Sequence, residues 1–93
     1  MEADRVLRTR EFIEREAGSA DALWHWVDVI SSATWRNPGD LKATFGSASF
    51  VGDLTVFNIG GNKYRLAAFI HYRNQIVYIK KIGAHEEYDQ WDL

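Results

Sequence analysis

The feature that most limits how this chain can fold is a change of hydrophobic period near residue 47. Before it, apolar residues recur three and four apart, as on one face of a helix. After it, they gather in short β-branched and aromatic runs broken by turn residues. Phe50-Val51 and Leu54 to Ile59 are separated by Gly52-Asp53. Gly60-Gly61-Asn62 reads as a three-residue hairpin connection, Tyr64 to Tyr72 as a long strand, Arg73-Asn74-Gln75 as a second tight connection, and Ile76 to Ile82 as a further strand. Connections this short place successive strands side by side and antiparallel. The expected class is α+β, with N-terminal helices packed on one face of a small antiparallel sheet. A chain of 93 residues has length for one core, so a single domain over 1–93 is expected.

The N-terminal half is read from caps and stripes. Asp4 to Leu7 is short and mixed, and reads as an edge strand. Thr9 is placed to cap a helix carrying Phe12, Ile13, Glu16 and Ala17, with Gly18 closing it in a left-handed conformation. Ser19 is placed to cap a second helix. Its stripe is Leu23, Trp26, Val27 and Ile30, with Asp21, His25 and Asp28 on the other side. Asn37-Pro38 reads as a cap followed by proline at the first helical position, Leu41 and Phe45 lie four apart, and Gly46 ends that element.

Composition excludes several classes of protein. Hydrophobic residues make up 46% of the chain, which rules out intrinsic disorder. No apolar run approaches the roughly 20 residues of a membrane span, and the mixed charges of residues 1–20 do not read as a signal peptide. The absence of cysteine removes disulfides and thiolate chemistry and fits a cytoplasmic location. The net charge of −2 conceals a strong asymmetry. Residues 1–53 hold nine acids and six bases. Residues 54–85 hold Lys63, Arg65, Arg73, Lys80 and Lys81 with no acid, and residues 86–93 hold four acids. A local basic field of this kind attracts anions even on a mildly acidic protein.

With three-residue loops at both hairpins, Ile59 faces Lys63, Asn58 faces Tyr64 and Phe57 faces Arg65. In the next hairpin Tyr72 faces Ile76, Arg65 faces Gly83 and Lys63 faces His85. A slip of one residue in a loop moves these pairs and flips faces. Lys63, Arg65 and His85 then gather at one end of the sheet with Tyr88 just beyond, and Gly83 leaves room beside Arg65 for a ligand. This set suits RNA cleavage by the neighbouring 2′-hydroxyl, which needs a base, a cation for the crowded phosphorane and an acid, and no metal. Histidine serves as acid or base near neutral pH, arginine grips phosphate with a planar fork, and tyrosine stacks on a base or donates a proton. Lys63, Arg65, His85 and Tyr88 are the candidate catalytic residues, the general base being His85 or Lys63. Asn58, Arg73, Lys80 and Lys81 are the candidate RNA contacts, with Lys80 and Lys81 pointing to opposite faces. His85-Glu86-Glu87-Tyr88-Asp89 matches no metal motif, so neither metal nor cofactor is expected. A bland account of the same residues also stands: Arg65 bonded to a carboxylate such as Glu86, and the aromatics as plugs for a thin core.

The stretch Val56-Phe57-Asn58-Ile59-Gly60-Gly61-Asn62-Lys63-Tyr64-Arg65-Leu66 resembles the central signature of the HigB-type toxins. The stretch from Ile76 to Asp89, ending His85-Glu86-Glu87-Tyr88-Asp89, resembles their C-terminal signature, and Trp35 to Pro38, Asp40 to Lys42 and Ser47 to Val51 are similar to the family as well. The resemblance runs from Trp35 onward. It implies a RelE-like fold and a metal-independent mRNA interferase, the toxin of a type II toxin–antitoxin pair, which cuts mRNA in the ribosomal A site. It also implies a HigA-like helix-turn-helix antitoxin as partner, with operator DNA reached only through that antitoxin. By the same resemblance Arg65 takes the phosphate-binding role, His85 the basic position after a strand-ending glycine, and Tyr88 the C-terminal aromatic position, with Trp91 a weaker candidate. Lys63 falls on the variable basic position. The chain departs from many RelE relatives in being acidic overall. Without chemistry, the same fold would be a protein- or RNA-binding module.

Overall fold

The computed structural model describes residues 2–4, 6–61 and 63–91. Arg5 of the expected edge strand, Asn62 of the hairpin signal and Asp92 of the acidic end lie outside them. The order is β1 (Glu2–Asp4), α1 (Val6–Arg15), a 3₁₀ turn (Ala17–Ser19), α2 (Ala20–Ser32), α3 (Pro38–Thr44), β2 (Ser49–Val51), β3 (Leu54–Ile59), β4 (Tyr64–His71), β5 (Ile76–Ala84) and α4 (His85–Tyr88). The strands form one sheet in the order β1-β5-β4-β3-β2. The four strands from β2 to β5 are antiparallel neighbours, as expected, and the fold is α+β. The edge strand is Glu2–Asp4 rather than Asp4 to Leu7, and it runs parallel to β5, with Glu2 opposite Ile76 and Asp4 opposite Tyr78. Two of its three residues are acidic and none is β-branched or aromatic, so no strand propensity marks it. It forms because a long-range ladder supplies its partners.

The core lies between the helices and one face of the sheet. Leu23, Trp26 and Ile30 of the expected α2 stripe are buried against Phe57, Leu66, Ala68, Val77 and Ile79. Phe57 is the hub: Trp26 meets it edge-on at 5.3 Å and Phe45 at 5.1 Å. Asn37 caps α3 as expected, its Oδ1 accepting from the Asp40 N–H at 2.9 Å, while Asp40 Oδ2 accepts from the Arg36 N–H at 3.0 Å. The first helix departs from its sequence reading. It starts at Val6, so Thr9 is an interior helical residue, fully buried, and its hydroxyl finds no hydrogen-bond partner among the described residues. Gly18 sits in the 3₁₀ turn without a left-handed φ, and Ser19 donates to the Glu16 carbonyl at 2.7 Å rather than capping α2.

The sheet register corrects the loop lengths and preserves the alignment that matters most. Both connections are four residues long. Gly60 and Gly61 are both left-handed, a conformation glycine tolerates, and Ile59 pairs with Tyr64, Asn58 with Arg65 and Phe57 with Leu66. At the other hairpin His71 pairs with Ile76. Gln75 takes φ 58° there because its side chain is tied down: its Nε2 donates to the carbonyls of Trp35 and Tyr72, each at 2.6 Å. A bulge in β5 then offsets the longer turn. Ala68 pairs with Ile79 but Ala67 with Lys81, which makes Lys80 the extra residue. Beyond the bulge Arg65 pairs with Gly83, as read from the sequence, and the His85 N–H donates to the Lys63 carbonyl at 2.9 Å.

Candidate active site

Asn58, Arg65 and Gly83 form one rung across β3, β4 and β5. Opposed residues point to the same face, so this rung lies on the opposite face from the neighbouring rung of Phe57, Leu66 and Ile82, which packs toward the helices. Asn58 shares the face of Arg65. The three-residue loop read from sequence had put Phe57 there instead, which the burial of Phe57 in the core excludes. Lys63 and His85 are exposed and sit just past the rung, joined by the His85–Lys63 backbone bond. Four of the candidate residues are thus brought to one end of the sheet: Lys63, Arg65, His85 and, beside them, Asn58.

Tyr88 reaches the same place from α4. A single turn suffices, because the Glu87 carboxylate accepts the Ala84 N–H at 3.2 Å and closes it. The Arg65 guanidinium lies 5.7 Å from the Tyr88 ring centroid and donates to the Tyr64 carbonyl at 3.2 Å. Arg65 is 8% exposed, so most of its stem is under cover. Gly83 does provide room, but not for a ligand. A Cβ built there would meet Trp91 Cζ2 at 2.8 Å and Glu87 Oε2 at 3.2 Å. The space is filled by the chain's own Trp91, which the sequence reading ranked low. An aromatic three residues beyond Tyr88 on a helical turn was the signal that could have raised it.

The remaining basic residues divide. Lys81 lies on the site face, with its ammonium 5.8 Å from the Trp91 ring. Lys80 and Lys81 are both exposed, Lys80 as the extra residue of the bulge. Arg73 is in the turn at the far end of the β4–β5 hairpin, on the order of 25 Å from the rung at about 3.3 Å per residue. The structure does not bring it to the site. Among the described residues, no three of His, Asp and Glu gather as a metal-binding group. No described helix is long and apolar enough to cross a membrane.

Chemically, the site offers a guanidinium held by its own strand's carbonyl and the Tyr88 ring, an exposed imidazole, an exposed ammonium and a phenol within one patch. That inventory serves anion binding and proton transfer. Residues 19–91 match the family described as HigB toxin, RelE-like toxic component of a toxin–antitoxin system. The chain is 34% identical over 65 residues to the mRNA interferase toxin HigB of Escherichia coli (strain K12), covering 67% of this chain and 62% of that protein. The same figures relate it to the mRNA interferase HigB of Shigella flexneri. Over 83 residues it is 26% identical to the mRNA interferase HigB of Escherichia coli O6:H1, covering 86% of this chain and 81% of that one. The alignment thus spans about three fifths of the length of the first of these relatives. With a family match over most of its length and the rung of Asn58, Arg65 and Gly83 at its centre, the chain belongs to the HigB toxin family, the RelE-like toxic components of toxin–antitoxin systems.

Proposed function

We propose that the chain is an mRNA interferase that cleaves mRNA by attack of the 2′-hydroxyl on the adjacent phosphate. The carrying observation is the rung that sets Arg65 in its strand between Asn58 and Gly83, with the backbone-bonded pair Lys63 and His85 two residues along and the Tyr88 ring beside the guanidinium. Arg65 stabilises the charge of the phosphorane with its planar fork. His85 or Lys63 takes the 2′ proton, and an acid from the same group returns one to the 5′ oxygen. Tyr88 stacks on a base or donates that proton. Lys81, Lys80 and Asn58 contact the RNA strand, and the acid-free segment 54–85 supplies the attracting field. Arg73 is left out of the proposed site by its position. The chemistry calls for no metal or other cofactor. The partner in this reading is a HigA-like helix-turn-helix antitoxin, the substrate is mRNA in the ribosomal A site, operator DNA is engaged only through the antitoxin, and the compartment is the cytoplasm.

The test is the product. Purified protein incubated with mRNA on ribosomes is expected to leave 2′,3′-cyclic phosphate ends. An mRNA carrying a 2′-deoxy sugar at the cut position is expected to resist. Cleavage of that deoxy substrate, or products without the cyclic phosphate or its hydrolysed 2′- or 3′-phosphate, contradicts the mechanism. The cover over Arg65 favours one second reading, a non-enzymatic RelE-fold binding module. In that case the protein binds RNA or its partner and leaves the mRNA intact.

A further inference from the structure

The C-terminal turn is built around a contact that the proposed chemistry does not use. Gly83 is buried, and its missing Cβ is replaced by the Trp91 ring, at 2.8 Å from where that carbon would stand. A real Cβ essentially never approaches a heavy atom so closely, and a rigid indole cannot bend away from it. The ring is gripped from a second side by Lys81, 5.8 Å from its centroid, and the Trp91 backbone N–H donates to the Tyr88 carbonyl at 3.0 Å, which ties down the main chain that carries the ring. Its third contact is Tyr88, which it meets edge-on with centroids 5.6 Å apart at 82°. Tyr88 in turn lies 5.7 Å over the Arg65 guanidinium. The residues therefore form a chain of contacts from Gly83 through Trp91 and Tyr88 to Arg65, and Gly83 and Arg65 are the opposed members of one rung.

We propose that Trp91 is a positioning residue, locked onto Gly83 and Lys81, that holds the Tyr88 ring over Arg65 and so sets the rate of the chemical step. This rests on the interferase reading above. Its physical basis is that a one-turn helix has too few internal bonds to orient a side chain by itself. Orientation must come from packing, and displacement of a reacting group by about 1 Å is enough to cost on the order of 100-fold in rate. Gly83→Ala and Trp91→Ala should then do the same thing, one by expelling the ring and the other by removing it.

The experiment is single-turnover cleavage of mRNA on ribosomes by the full chain. The variants are Trp91→Ala, Trp91→Phe, Gly83→Ala and the Gly83/Trp91 double alanine, each with its melting temperature. Trp91→Ala and Gly83→Ala are expected to slow the rate at saturating substrate about 10-fold or more, with the half-saturating concentration within about two-fold of wild type. The double variant is expected to be no slower than the slower single variant, and Trp91→Phe to keep most of the rate. A folded Trp91→Ala as fast as wild type, losses that multiply in the double variant, or a change confined to the half-saturating concentration overturns the proposal. The Tyr88 ring resonances are read by NMR in the same proteins and should move alike in Gly83→Ala and Trp91→Ala. An inactive wild type defeats the interferase reading. The NMR comparison then still decides the lock, and unmoved Tyr88 resonances refute it.

Discussion

Phe57→Ala is the sharpest test of how the fold is held. Phe57 is 1% exposed and stands where α2, α3 and the sheet meet. Its ring makes edge-to-face contacts with Trp26 at 5.3 Å and Phe45 at 5.1 Å, and its strand neighbour Asn58 belongs to the site rung. Truncating a buried phenylalanine to alanine costs about 3–5 kcal/mol through lost transfer and the cavity left behind. Two aromatic contacts, each worth about 0.5–1.5 kcal/mol beyond area, push this site to the upper half of that range. A small domain has only about 5–15 kcal/mol of stability, and each kcal/mol lowers its melting temperature by roughly 4–8 °C. Phe57→Ala should therefore lower the midpoint by roughly 16–40 °C. Phe57→Leu keeps most of the volume but loses the ring geometry, and should cost about 1–2 kcal/mol. Urea and thermal unfolding followed by circular dichroism measure both. A loss below about 1.5 kcal/mol for the alanine variant, or equal losses for the two, refutes Phe57 as the hub.

Deleting Lys80 removes the bulge yet leaves Arg65 opposite Gly83 and Leu66 opposite Ile82, because the hairpin register then continues unbroken. The deletion variant is expected to fold with that register, seen as cross-strand NMR contacts between residues 65 and 83. An insertion after Lys80 is expected to break it. Asn37→Ala removes the acceptor for the Asp40 N–H and should cost about 1 kcal/mol in urea unfolding. Burial raises the Tyr72 hydroxyl pKa above its ordinary value near 10. The folded state then holds that proton more tightly than the unfolded chain. Its stabilising contribution is complete below pH 10 and is lost as pH rises through the folded value, so Tyr72→Phe should flatten the alkaline end of the stability profile.

Much of this architecture could be read from the sequence. The turn at Gly52-Asp53 and the β-branched and aromatic runs of β3, β4 and β5 identified the meander, and the Leu23, Trp26, Ile30 stripe identified the core helix. The Arg65–Gly83 alignment was also legible, though for a compensated reason. The turn after His71 is one residue longer than its residues suggest, since Gln75 is pinned by Trp35, forty positions away, and the Lys80 bulge restores the frame. At Asn58 no bulge intervenes, and the reading slipped by one. Such features depend on tertiary contacts that no local pattern carries. The same holds for β1, for the buried Thr9, and for Trp91 in the space that Gly83 leaves.

The central claim is that the rung around Arg65, with His85 at its end, cleaves mRNA. Inducible expression of wild type, Arg65→Ala and His85→Ala, read by growth and by mapping mRNA 5′ ends, tests it most directly. The account predicts growth arrest with new cuts inside translated frames for the wild type. Both variants, at equal abundance and with native melting curves, should lose the arrest and the cuts. A harmless wild type with no new ends, or an Arg65→Ala protein that still cuts at the same positions, contradicts it.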